Sequence, residues 1–306
     1  MVDLTIDLAG IRLNNPTILA SGILGLDVLT LKRVVKNGAG AVTIKSLTIK
    51  PRKGHNSPII IEAGQGVFMN AVGYANKGIE EGVKEFRKWN QDVPLIGSIV
   101  GETVDEFIEL TERIQTTPIK ILEIVLSCPH TPGYGLMAGQ GSPKMTEKIT
   151  KAVKKRVSLP LSVKLSPSIQ GLGEVAKAAE AAGADIINMG NTVGPGMRID
   201  INRGRPILGF KIGGLSGPAI KPLTIRAVYD IYKSVKIPIV ATGGILTGKD
   251  LIEAFMVGAT AVGIGTGIYY RGINIFKKIT KEVREWLKKN NYKDIKNLIG
   301  LVHRDE

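Results

Sequence analysis

The sequence predicts an α/β fold: a closed (β/α)8 TIM barrel with a short N-terminal β-hairpin and long loops at the C-terminal face of the strands. Three observations lead there. Short apolar runs rich in β-branched residues recur along the chain, amphipathic helical stretches separate them, and the alternation completes eight units within 306 residues. Strictly alternating βα units build a parallel sheet, and eight of them close it. A doubly wound open sheet is the weaker reading, because no GxGxxG follows the first strand.

In order, LTIDLAGIRL reads as a hairpin over 4–8 and 11–13, followed by a first core strand over 17–20. The first helix, 28–36, stops at Asn37-Gly38, a C-terminal signal. Further strands are predicted over 41–45, 94–100, 119–126, 161–165, 185–189, 237–241 and 259–264. Helices are predicted over 77–89, 104–114, 144–157, 172–182, 222–234, 249–256 and 273–289. No low-complexity segment or charge block divides the chain, so 1–306 is expected to form one domain. The long connections, 47–76, 127–143 and 191–221, all follow strand C-termini, the face on which barrels assemble their active sites.

Composition narrows the function. Apolar residues make up 43% and charged residues 22%, enough for a large core, and no apolar run is long enough to cross a bilayer. MVDLTIDLAG lacks a basic-then-apolar leader pattern, so a cytoplasmic protein without membrane association is expected. One cysteine fits a reducing compartment and excludes an iron–sulfur cluster ligated by this chain's own thiolates. Three scattered histidines give no metal-ligand spacing, so no metal is expected. The net charge of +14 is spread over helix faces as lysines without aromatic interleaving, which reads as a solvated surface rather than a nucleic-acid site.

The lone cysteine, Cys128, follows an apolar strand and precedes the Gly/Pro-rich segment TPGYGLMAGQGS. A lone cysteine is more often a small buried hydrophobe. Here its place, at a strand end under a loop with hinge glycines, suits chemistry covered by a lid over 131–142. Ala241-Thr242-Gly243-Gly244-Ile245 after the seventh strand and Gly263-Ile264-Gly265-Thr266-Gly267 after the eighth are glycine-rich turns in register. Glycines let backbone N–H groups approach an anion closely, and these two loops are the usual phosphate site of the fold. Lys45 and Lys164 sit at strand ends, where an ammonium pointing into the barrel mouth needs an anion or an electron-rich ring. Asn70 and Asn191-Thr192 present donor and acceptor together, as a heterocycle with imide and carbonyl edges requires, although each asparagine could equally serve a turn.

Together these residues resemble the class 1 dihydroorotate dehydrogenases, FMN-containing barrel enzymes of pyrimidine biosynthesis. The anchors are Ala20-Ser21-Gly22, Lys45-Ser46, Asn70-Ala71-Val72-Gly73-Tyr74, Ser127-Cys128-Pro129, Val163-Lys164-Leu165, Asn191-Thr192, GGLSGPAIKP at 213–222, Gly243-Gly244-Ile245 and Gly265-Thr266. The Ser-Cys-Pro segment and GGLSGPAIKP look most like the B-type catalytic subunit. The resemblance implies oxidation of dihydroorotate to orotate, with Cys128 as the base and FMN as the hydride acceptor. It assigns Ser21, Lys45, Ser46, Lys164, Gly190, Gly217, Gly243, Gly244, Gly265 and Thr266 to the cofactor. Lys45, Asn70, Ala71, Val72, Gly73, Tyr74, Asn191 and Thr192 fall to the substrate. It also implies a homodimer or heterotetramer, and a second subunit carrying FAD and a [2Fe–2S] cluster that passes electrons to NAD.

Three positions depart from the family pattern. Asparagines are usual two residues before Ser-Cys-Pro, directly after it, and in the third strand, where this chain has Val125, His130 and Ser98. Loss of a hydrogen-bonding partner to a buried polar ligand costs about 1–3 kcal/mol. Cys-Pro-His also occurs in the related dihydropyrimidine dehydrogenase barrel, so a dihydrouracil-oxidising flavoenzyme is the nearest alternative. A flavin-free barrel binding a phosphorylated ligand is the second.

Overall fold

The computed structural model describes residues 2–126 and 142–304. Its strands are β1 (Ile6–Leu8), β2 (Ile11–Leu13), β3 (Thr17–Leu19), β4 (Ala41–Thr43), β5 (Ile60–Gly64), β6 (Val67–Asn70), β7 (Leu95–Ile99) and β8 (Ile121–Val125) in the first half. The second half holds β9 (Leu161–Leu165), β10 (Ile186–Met189), β11 (Val193–Met197), β12 (Ile199–Asp200), β13 (Arg205–Pro206), β14 (Ile212–Ser216), β15 (Ile239–Thr242) and β16 (Ala261–Ile264). The helices are α1 (Val28–Lys36), α2 (Gly78–Phe86), α3 (Val104–Ile114), α4 (Pro143–Lys154), α5 (Leu172–Ala181), α6 (Lys221–Tyr232), α7 (Gly248–Met256), α8 (Gly267–Arg271) and α9 (Ile275–Lys289).

Strands β3, β4, β7, β8, β9, β10, β15 and β16 close into a barrel in sequence order, β16 pairing back onto β3, and every pair is parallel. The barrel expected from the alternation is therefore present. Its strands are buried on both faces, which explains their nearly continuous apolar sequences. Helices α1, α3, α4 and α7 begin at Asp27, Thr103, Ser142 and Thr247, whose side chains accept from the N–H three residues on. The hairpin β1–β2 closes the N-terminal end. Leu8 lines a small void with Ile18, Ile121 and Ile186, filling a mouth that water would otherwise reach.

Two features differ from the sequence-based expectation. The connections over 47–76 and 191–221 are not plain loops: β5, β6, β11 and β14 pair as an antiparallel sheet in the order β11-β14-β6-β5 over the C-terminal mouth. The glycines and proline in VGPGM and IGGLS argue against strands, yet they permit the close backbone approach found here, since a Cβ on Gly213 would lie 2.6 Å from the Asn70 carbonyl oxygen. The short helix α8, at the same mouth, was not expected, because its glycine-flanked sequence reads as a turn.

Candidate active site

One cavity of about 410 Å3 opens at the C-terminal end of the barrel. Its lining brings together every cofactor and substrate residue proposed from the sequence within the described segments, from Ser21 near β3 to Thr266 after β16. Cys128, with Ser127, Pro129, His130 and most of the expected lid, lies outside the described residues. Val125, at the end of the strand that leads to Cys128, lines the cavity.

The floor is a buried polar network. In the alternating pattern of β8, Glu123 points inward with Ile121, and it is 2% exposed. Its carboxylate accepts from Ser98 Oγ at 3.0 Å and from Asn188 Nδ2 at 2.6 Å. Ser98 Oγ is 2.9 Å from Ser46 Oγ, and Asn188 Oδ1 accepts from Thr242 Oγ1 at 2.9 Å. Lys164, one strand over and 4% exposed, donates to Ser21 Oγ at 2.9 Å and holds its ammonium 3.8 Å from Glu123. The sequence reading has this lysine require an anion, and the protein supplies one from the neighbouring strand. Removal of one partner of such a buried pair typically costs about 3–5 kcal/mol, because the other charge is left uncompensated. Lys45 differs from Lys164. It follows the end of β4, is half-buried, and its backbone N–H donates to Gly25 O at 2.8 Å.

Glu123 and Asn188 have no part in the sequence-based site. Their signal was nonetheless there. A lone acid in ILEIV and a lone amide in IINM stand at inward positions of the two apolar strands that flank β9, level with Ser98 and Lys164 respectively. Ser98 itself lies beneath the cavity, fully buried, and acts on it only through Ser46. Val125 is 3% exposed and packs with Val100 against Tyr74, so the position where the family has an amide is an apolar contact here.

One wall is the inner strand β6 of the mouth sheet and the segment after it. Asn70 belongs to β6, between β14 and β5, and its Nδ2 donates to Gly214 O at 3.3 Å, so it is a strand residue rather than a turn residue. The turn Ala71–Tyr74 is tied back by Ala71 N–H to Ile59 O and by His55 N–H to Val72 O, at 2.8 and 3.1 Å. A Cβ on Gly73 would lie 2.6 Å from the His55 ring, which stacks on Phe210. Burial pushes the His55 imidazole below its ordinary value, opposed by a hydrogen bond to the Ala71 backbone.

The opposite wall is glycine. Gly243 and Gly244 take φ of +143° and +74°, and added Cβ atoms would strike Thr224 and Lys221. Asp250 braces this loop by accepting from the N–H groups of Leu246 and Thr247 and from Lys221 Nζ. Burial pushes its carboxyl up. The Lys221 ammonium and the loop donors more than reverse that, leaving it below the usual carboxylate range. Gly265 is different: a Cβ there would meet only Ala20, 4.0 Å away, and would project into the cavity. The adjoining helix α8 starts after Thr266 without a side-chain cap, and the N–H groups of Ile268 and Tyr269 donate to the Gly265 and Thr266 carbonyls at 3.0 Å.

Fold and site together define a (β/α)8 barrel with a cavity at its C-terminal mouth, set over a buried Lys–Glu floor. A family model described as "Dihydroorotate dehydrogenase" matches residues 3–287, and the chain belongs to that family. The family is flavin-dependent in general. The chain is 43% identical over 302 residues to the "Dihydroorotate dehydrogenase B (NAD(+)), catalytic subunit" of Methanocaldococcus jannaschii, covering 97% of each protein. It is 42% identical over 299 residues to the same-named subunit of Pyrococcus abyssi, covering 98% of this chain and 99% of that one. In fold it matches a crystal structure of DHODH from Eimeria tenella in complex with ferulenol, with a TM-score of 0.86 at 23% identity over 99% of this chain and 89% of the other. Among the described residues, no helix is long and apolar enough to cross a membrane, and no cluster of three or more potential metal ligands occurs.

Proposed function

We propose that this chain, as one domain over 1–306, oxidises (S)-dihydroorotate to orotate in de novo pyrimidine biosynthesis, with FMN held in the cavity. The observation that carries the reading is the convergence on one cavity of all the described residues that the resemblance assigns to cofactor and substrate. The cavity suits a phosphorylated flavin. The side-chain-free face of Gly265 offers room for a phosphate, and the polar floor suits a heterocycle.

When bound, FMN supplies a two-electron acceptor for hydride from C6 of the substrate. Cys128, as thiolate, takes the proton from C5. Free thiols titrate near ~8.5, so modest electropositive help from Lys45 would yield a usable thiolate. Asn70 to Tyr74 and Asn191-Thr192 orient the pyrimidine and its carboxylate, while Lys45 bridges substrate and cofactor. Lys164 stabilises negative charge on the ring. Gly190 and the Gly217, Gly243-Gly244 and Gly265-Thr266 turns hold the rest of the cofactor.

Curated relatives are named catalytic subunits. A second subunit carrying FAD and a [2Fe–2S] cluster, passing electrons to NAD in the cytoplasm, is the partner this reading calls for, in a homodimer or heterotetramer. The apolar contact of Val125 with Val100 and Tyr74 favours a second reading, in which the substrate is dihydrouracil. In anaerobic stopped-flow mixing, dihydroorotate should bleach the flavin of the FMN-loaded chain. Bleaching by dihydrouracil alone selects the second reading, and bleaching by neither overturns both.

A further inference from the structure

Glu123 touches neither the cavity nor any residue assigned to substrate, yet it joins the two arms of the floor. We infer that Glu123 is a positioning residue: as an ionised carboxylate it fixes which floor groups accept and which donate hydrogen bonds toward the flavin, and it compensates the Lys164 charge beside the ring. The inference rests on the flavin reading above and deepens it.

The geometry propagates polarity outward. A carboxylate has no proton to give, so Ser98 donates its single proton to Glu123, at 3.0 Å. Ser98 must then accept from Ser46, whose own proton is thereby committed at 2.9 Å. On the other arm the amide nitrogen of Asn188 faces Glu123 at 2.6 Å. Its oxygen is left to accept the Thr242 hydroxyl proton at 2.9 Å. Ser46 and Thr242 both line the cavity and present it with lone pairs only. Ser21, which accepts from Lys164 at 2.9 Å and also lines the cavity, keeps its proton to donate. Acceptors and a donor in fixed places match a ring that carries both N–H and carbonyl groups. Glu123 is the one buried acid among the described residues, and it faces the one buried lysine at 3.8 Å, so the floor is close to neutral.

Glu123→Gln tests this. The amide must donate to Ser98 or to Asn188, reversing one arm, and the Lys164 ammonium loses its counter-charge. The uncompensated cation favours the more negative, reduced flavin. In the full chain loaded with FMN, the ratio of oxidised to reduced flavin dissociation constants should rise at least tenfold. That corresponds to a midpoint potential about 30 mV more positive for a two-electron couple. Glu123→Asp keeps the charge and should stay within threefold of wild type.

A folded, FMN-loaded Glu123→Gln protein with an unchanged or lower potential overturns the role of Glu123 alone. Failure of the wild type to take up FMN overturns the flavin reading as well. If Glu123→Gln does not fold, infrared spectra of the wild type with 13C-labelled glutamate decide. Ionised bands for the buried carboxylate at neutral pH support the inference, and a protonated-carboxyl band contradicts it.

Discussion

Gly265→Ala separates fold from binding most cleanly. The added Cβ would meet only the Ala20 Cβ, at 4.0 Å, which is ordinary contact, and the backbone is outside the left-handed region. The fold should therefore tolerate alanine, and restriction of the unfolded chain contributes about 0.4–1 kcal/mol of added stability. The methyl group projects into the cavity, where an extra carbon in a well-packed contact costs about 1–3 kcal/mol. At about 1.4 kcal/mol per decade, FMN affinity should fall roughly 5- to 150-fold. Flavin fluorescence titration gives the affinity and thermal melting gives the stability. Gly244→Ala is the contrast: with φ at +74° and Lys221 backbone atoms 2.8 Å from the new Cβ, it should lower the melting temperature. If Gly265→Ala binds FMN within twofold of wild type at unchanged stability, the phosphate does not lie against Gly265.

Other expectations follow from single contacts. Cys128→Ala should keep bound FMN and lose about 10²–10⁴-fold in the rate of flavin reduction by dihydroorotate, read by stopped flow. Asp250→Ala removes the reciprocal half of the α7 capping box and the brace of the glycine loop, so urea unfolding should show a loss of about 1–2 kcal/mol with weaker FMN binding. Because the folded state holds the Asp250 carboxyl below its unfolded value of about 4, its stabilisation is present above that value and lost as pH falls through the folded one. Asp250→Asn should flatten that part of the acid-unfolding profile. Val125→Asn places an amide beside Tyr74 and should tighten dihydroorotate binding at least about fivefold, read by equilibrium titration, if one hydrogen bond of about 1 kcal/mol is gained.

Much of this was legible from sequence for a physical reason. Eight βα units repeat a pattern that a closed parallel sheet satisfies, and the turn glycines after β15 and β16 line the cavity at its mouth. The mouth sheet was not legible, because IGGLS takes strand geometry by pairing with β6, and VGPGM by pairing with IGGLS, rather than through their own propensity. The floor was half legible. Lys164 and Ser98 drew notice singly, but Glu123 joins them only through register, with Ser98 opposite Glu123 and Lys164 opposite Val125. Aligning the inward positions of β7, β8, β9, β10 and β15 would have shown Ser98, Glu123, Lys164, Asn188 and Thr242 as one belt.

The most direct measurement is an anaerobic equilibrium titration of the FMN-loaded chain, without any partner, followed by flavin absorbance. Dihydroorotate should bleach the flavin with one orotate formed per flavin reduced, and dihydrouracil should leave it oxidised. Flavin that stays oxidised with dihydroorotate, in protein that has taken up FMN stoichiometrically, would contradict the account.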